Sequence, residues 1–467
     1  MGQAAEIKTQ NKMGVMPINK LLIAMSVPMM ISMLVQALYN IVDSIFVAQL
    51  NENALTAVSL AFPVQNLMIS VAAGTGVGIN ALLSKSLGER NNEKVNKTAN
   101  NGVFLGLAGC IAFVLFGIFG VRFFYGTQTN IGQIVEYGQE YLNICCIFSV
   151  ALFGQITFER LLQSTGKTLY TMVTQSLGAV VNIILDPIMI FGLFGFPKMG
   201  VTGAAVATVV GQFVAALLAL YFNLKKNHEI KLSLNKFKPD GEIIKAIYSV
   251  GVPSMIMIAI SSIMTYGINR ILLTFTATAT AVFGVYFKLQ SFIFMPVFGL
   301  NNGMIPILAY NFGAQNKQRM TKTIKLSVIY AVVIMIAGFA VFQLFTDQLL
   351  LWFNASENML AIGAPALRII SISFLFAGYC IVVSSVFQAL GNGMKSMIVS
   401  VLRQLVVLLP VAYLLSLSGS VDAVWWSFPI AEIASVVSCT LFLKRIYDQK
   451  IRNIGGAETA SVCTQET

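Results

Sequence analysis

The chain has 467 residues, of which 57% are hydrophobic and only 10% charged, and its formal net charge is +11. A soluble domain carries about 25% charged residues, so these charges are too few to cover a water-facing surface. The only histidine, His228, lies in a charged stretch. With no Gly-rich phosphate loop and no nucleophile elbow, the usual signals of an ATP-driven pump and a hydrolase are missing, and one histidine in 467 residues speaks against a membrane-embedded enzyme built on a His, Asp or Glu cluster.

The charges cluster between long apolar runs, and apolar runs of this length mark membrane-spanning helices. Twelve spans are predicted: 20–48, 54–84, 98–121, 137–158, 167–192, 200–223, 245–274, 278–308, 324–345, 362–388, 395–416 and 422–443. The runs are continuous rather than alternating, which favours helices over barrel strands. The first is too long for a signal-peptide core and is expected to be retained. Cys110, Cys145, Cys146, Cys380, Cys439 and Cys463 show no metal-ligand spacing, and most read as small packing residues.

The positive charge is unevenly distributed. Arg122 and Lys198 alone fall in odd-numbered loops, and Arg270, Lys288, Arg368 and Arg403 fall in or beside spans. The other Lys and Arg residues lie at the termini and in the even-numbered loops. By the positive-inside rule both termini are cytoplasmic. The basic loops then face the anionic inner leaflet of the bilayer, and no nucleic-acid partner is needed to explain them.

The sequence repeats at one constant, gap-free offset, the shift that carries Pro28 onto Pro253. The same shift carries Gln65 onto Gln290, Gly74 onto Gly299, Gly78 onto Gly303 and Gly88 onto Gly313. Asn91, Lys97, Thr98, Gln163 and Gly166 fall on Asn316, Lys322, Thr323, Gln388 and Gly391. The expected fold is therefore an all-α integral membrane protein with two six-helix bundles related by an axis along the membrane normal. The expected division is an N-terminal bundle at 1–224, a cytoplasmic linker at 225–244 and a C-terminal bundle at 245–467. Transporters built from such repeats bind substrate between the halves.

Ionisable residues within spans are functional candidates. In the first span Ser32, Gln36, Tyr39, Asn40 and Asp43 recur at spacings of three and four and so share one helix face. In the fifth span Thr171, Gln175, Gly178, Asn182 and Asp186 do the same, and Pro187 follows directly. Two carboxylates with amides and hydroxyls nearby suit a sodium ion or a shared proton. Either Asp can also serve as interhelical packing glue. Neither has a repeat counterpart, since Asp43 maps to Ile268 and Asp186 to Val411. Glu159, at the end of the fourth span, is either an attractor of cationic substrates or half of a local ion pair with its neighbour Arg160. Arg270, Lys288 and Glu432 of the second half either pair with one another or touch substrate.

Leu38-Tyr39-Asn40-Ile41-Val42-Asp43, with Pro28 upstream, resembles the first helix of multidrug and toxic compound extrusion (MATE) transporters. Asn182-Ile183-Ile184-Leu185-Asp186-Pro187 is similar to their fifth helix, and Gly200-Val201-Thr202-Gly203-Ala204-Ala205 to the start of their sixth. The acids concentrate in the first half, as in the bacterial MepA-like branch. The resemblance implies export of small organic, cationic substrates or drugs in exchange for H+ or Na+, with no further cofactor and no enzymatic activity. It assigns cation-coupling roles to Asp43, Asn182 and Asp186, with Gln36 and Thr202 beside them; Glu159 is the candidate substrate contact. The expected setting is the bacterial plasma membrane, with the chain acting as a monomer. A lipid-linked saccharide flippase of the same superfamily is the alternative; it would ordinarily carry more helices or a strongly cationic cavity.

Overall fold

A computed structural model describes residues 11–233, 237–353, 355–452 and 454. Every regular element among them is helical. Ten helices are long and apolar enough to cross a membrane, and two bent pairs bring the spans to twelve. Each predicted span corresponds to one of these. Cys463 lies outside the described residues; the other five cysteines are free, buried thiols.

The helices overrun the apolar windows, for local reasons. The seventh span begins at Gly241 rather than 245 because Asp240 caps it, its Oδ1 accepting from Glu242 N at 3.1 Å and Ile243 N at 3.3 Å. The last span continues to Ile451, past Lys444, Arg445 and Lys450, since long basic side chains can leave the apolar layer while the backbone stays helical. The bent spans are Gly132–Ile147 with Val150–Ser164, at 44°, and Glu357–Ser371 with Phe374–Ala389, at 49°. No proline sits at either break. In the first, Ser149 Oγ donates to the Cys110 carbonyl at 3.3 Å; in the second, Ser373 Oγ donates to Ile370 O at 2.7 Å. The Ser373 hydroxyl takes up a carbonyl of its own helix and so competes with that helix's ladder; the Ser149 hydroxyl instead ties its break to the third span.

The described residues form two compact units, one of 31–87 and 91–255, the other of those up to Met30, 88–90 and those from Ile256 onward. Met30 and Met255, where the chain changes unit, are themselves related by the repeat shift. Pro28 and Pro253 each lie just before the change, inside continuous helices.

The repeat is visible in backbone detail. Asn91 and Asn316 both cap the helices that follow them, accepting from Lys94 N and Arg319 N at 3.0 Å. Arg90 and Gln315, one position earlier, have φ of 55° and 54°. Gly166 and Gly391 have φ of 84° and 74°, a region open to glycine without steric cost. Helix crossings repeat as well. In the first-half unit a Cβ at Gly74 would overlap Met255 and the Gly251 carbonyl. In the second-half unit a Cβ at Gly299 would overlap Met30.

Many exposed side chains on these helices are apolar, Leu38, Ile45, Phe62, Ile111, Leu217, Tyr266, Leu344 and Leu441 among them. In water such a surface would aggregate; in a bilayer it is the lipid-facing layer.

Candidate functional site

The fifth span, Thr168–Phe191, buries Thr171, Thr174, Gly178, Asn182 and Asp186. That is the face the sequence spacing selected. Asp186 is fully buried and Asn182 nearly so. The Asn182 amide is satisfied with its nitrogen donating to Asp186 Oδ2 at 3.2 Å and its oxygen accepting from Thr208 Oγ1 at 3.3 Å and Thr208 N at 3.2 Å. Gly178 and Gly211 make this geometry possible: each lies where a Cβ would overlap the other's carbonyl, so the fifth and sixth spans approach closely.

Asp43 of the first span comes to the same place, its carboxyl within hydrogen-bonding reach of that of Asp186. Tyr39 stands beside both carboxyls, and Tyr141 and Cys145 stand beside Asp43. Gln65 Nε2 donates to Tyr141 Oη at 3.0 Å. Asp43 Oδ1 is buried without a hydrogen-bond partner among the described residues. Two ionised carboxylates this close repel, so the pair is stable with a shared proton or with a cation between them.

Glu159 is 2% exposed and accepts three hydrogen bonds, from Gln175 Nε2 at 2.6 Å, Thr174 Oγ1 at 3.1 Å and Gln155 Nε2 at 3.2 Å. Arg160 Nη1 donates to Gln163 Oε1 at 2.9 Å. Asn182, Thr208, Glu159, Arg160, Gln155 and Gln175 line a single pocket within the unit, together with Gln36, Tyr39 and Gln212. Met33, Ile69, Leu152 and Ile156 supply its apolar wall. An apolar wall with a few convergent polar groups and one buried carboxylate suits an organic molecule carrying positive charge.

Asp43, Asn182 and Asp186 are thus brought together, and Gln36 joins them through the pocket wall. Thr202 goes elsewhere, its Oγ1 donating to Glu140 Oε2 at 2.8 Å. The hydroxyl that meets Asn182 belongs to Thr208, further along the same helix. Sequence reasoning missed Thr208, Tyr141, Gln155 and Gln212. Gln155 was accessible to it, standing one turn before Glu159 on the same face; Thr208 and Tyr141 carry no such signal.

In the second-half unit, Glu432 pairs with neither Arg270 nor Lys288, both of which are exposed. Its partner is Arg403, with Nη1 to Oε2 at 3.3 Å. Among the described residues no group of three or more His, Cys, Asp or Glu is arranged to hold a metal.

The family model MatE matches residues 28–188 and again 253–414, starting at the two repeat-related prolines. The multidrug export protein MepA of Staphylococcus haemolyticus (strain JCSC1435) is 27% identical over 422 residues, covering 88% of this chain and 90% of that protein. MepA of Staphylococcus aureus (strain MRSA252) is 26% identical over 438 residues, covering 93% and 95%. Among solved structures, an outward-facing multidrug resistance MATE family transporter of the MOP superfamily matches with a TM-score of 0.88 at 26% identity, covering 93% of this chain and 97% of that one. A MOP superfamily transporter from Pyrococcus furiosus, whose structure is described as having a binding pocket of reversed polarity, matches with a TM-score of 0.86 at 27% identity, covering 95% and 98%.

Proposed function

The chain belongs to the MatE family, a family of multi-pass membrane transporters rather than enzymes, and we propose that it exports multiple drugs, chiefly organic cations, in exchange for H+ or Na+. The observation that carries this reading is the convergence of Asp43 and Asp186 beside a pocket that Asn182 also lines. Asn182 touches both parts: its nitrogen bonds Asp186, and its side chain forms part of the pocket wall. A proton or cation arriving at the carboxyl pair changes what Asp186 can accept. That resets the Asn182 amide, and with it the wall that a substrate feels.

Glu159 supplies the counter-charge for a cationic substrate, its carboxylate held in place by Gln155, Thr174 and Gln175. The N-terminal bundle, residues 1–224, carries this coupling site, and the linker 225–244 is cytoplasmic. The setting is a bacterial plasma membrane with both termini inside, in keeping with the loop charges and with the bacterial sources of the MepA relatives. The working unit is a monomer.

Uptake of a fluorescent organic cation into inverted vesicles, under proton and sodium gradients imposed separately, tests this reading. Transport driven by one gradient and absent when neither is imposed is the expected result. Transport indifferent to both gradients removes the exchange mechanism, and movement of a lipid-linked saccharide instead of the cation replaces export with flipping.

A further inference from the structure

The second-half unit has a charged site of its own, near the middle of the bilayer. Arg403 lies within the span Gly393–Ser416, about ten residues or ~15 Å from its start, roughly half the thickness of the hydrocarbon core. The backbone there is a π-helix over Leu402–Leu408. Such widened turns re-aim side chains and recur at functional positions. Arg403 has no repeat equivalent. Its counterpart in the first half, by the shift that relates Pro28 to Pro253, is Gly178, where a Cβ would overlap the Gly211 carbonyl. A place closed to a methyl group in one half is held by a guanidinium in the other.

The surroundings of Arg403 are interior rather than lipid. Around the guanidinium stand Glu432, Tyr286, Cys380 and Cys439, from three other helices. They are 6%, 3%, 3% and 0% exposed. The Arg403 side chain nevertheless stays 30% exposed, against 7% for that of Glu432. The guanidinium is thus set among buried neighbours while part of the Arg403 side chain stays open, and intramembrane charges ordinarily face the protein rather than lipid.

Its hydrogen bonding is incomplete. Among the described residues the guanidinium donates from Nη1 alone, to Oε1 of Glu432 at 3.4 Å and Oε2 at 3.3 Å. A full arginine–carboxylate fork uses two nitrogens at about 2.7–2.9 Å. Glu432 therefore neutralises the charge and anchors one corner, leaving the Nη2 and Nε donors without a hydrogen-bond partner among the described residues. Such a planar pair of donors matches a carboxylate.

We propose that Arg403 is the binding point for the carboxylate of zwitterionic or acidic organic substrates, with Glu432 as the positioning residue that holds its guanidinium. The proposal rests on the export reading and assigns the residue that holds a substrate's carboxylate. One transporter then accepts two charge classes, cations at Glu159 and carboxylates at Arg403.

Rhodamine B, a zwitterion with one carboxylate, and its ethyl ester, a plain cation, differ only at the group in question. Binding of both to the purified full chain is measured by fluorescence polarisation for the wild type, Arg403→Gln, and the double variant Arg403→Gln/Glu432→Gln. The double variant removes both charges together and avoids stranding a buried carboxylate. Both variants are expected to lose about tenfold or more in rhodamine B affinity, the scale of a charge-assisted hydrogen bond, while ester affinity stays within about twofold. Equal loss for the two dyes, or no loss for either, overturns the proposal and leaves the pair as a structural tie. A wild type that binds and exports the ester but not rhodamine B overturns it too, with the export reading intact. A wild type that binds and exports neither removes the export reading, and this proposal with it.

Discussion

The carboxyl groups of Asp43 and Asp186, carried by the first and fifth spans, meet within hydrogen-bonding reach, and Asp43 keeps one buried oxygen without a partner among the described residues. Neither residue has a counterpart in the second half of the repeat. The pair belongs to one half alone.

Replacing either Asp with Asn keeps its size and removes the charge. Each single variant is expected to lose gradient-driven efflux while reaching the membrane at normal levels. The double variant should be little worse than either single one, because residues acting as a unit are non-additive. Drug binding without a gradient should survive at least in part. Vesicle efflux normalised to membrane expression is the measurement, and near-normal efflux in either well-expressed single variant sinks the shared site.

Glu159 holds three hydrogen bonds inside the pocket. Glu159→Gln preserves the shape of that network and removes its negative charge. Export of permanently cationic drugs should fall about tenfold or more, the scale of a lost charge-assisted bond, with neutral drugs much less affected. Equal loss across both classes points to a folding role.

Thr208 fixes the Asn182 amide through its hydroxyl at 3.3 Å. Thr208→Val is nearly isosteric and deletes that bond, worth about 1 kcal/mol or ~5-fold. Coupled efflux should fall by that order, while Thr202→Val, which loses the bond to Glu140, leaves it nearly unchanged. The reverse order of effects would reassign the hydroxyl.

Topology is checked by labelling. A single cysteine placed at Asn235, outside the described residues, should resist an impermeant thiol reagent applied to intact cells and react in inverted vesicles. Efficient labelling from outside overturns the orientation.

Much of this protein is legible in its sequence. Continuous apolar runs specify helices because a bilayer offers the backbone no other hydrogen-bond partner, so composition alone fixed both the class and the number of spans. The repeat survives in the caps at Asn91 and Asn316 and in the left-handed turns before them, since such local geometry depends on nearby residues. Spacing on one helix likewise put Asn182 and Asp186 on a common face.

The tertiary structure decided what lies across from what. No spacing rule links Asp43 to Asp186, Thr208 to Asn182 or Arg403 to Glu432, because each pair joins different helices whose rotation is set by packing such as the Gly178–Gly211 approach. Thr202 and Thr208 read alike in the sequence, two threonines on one helix; the turn between them sends one hydroxyl to Glu140 and the other to Asn182. The unit boundaries at Met30 and Met255 were equally out of reach, since both fall within unbroken apolar helices. Composition reports that a segment is helical and buried in lipid; only side-chain packing determines which neighbours it keeps.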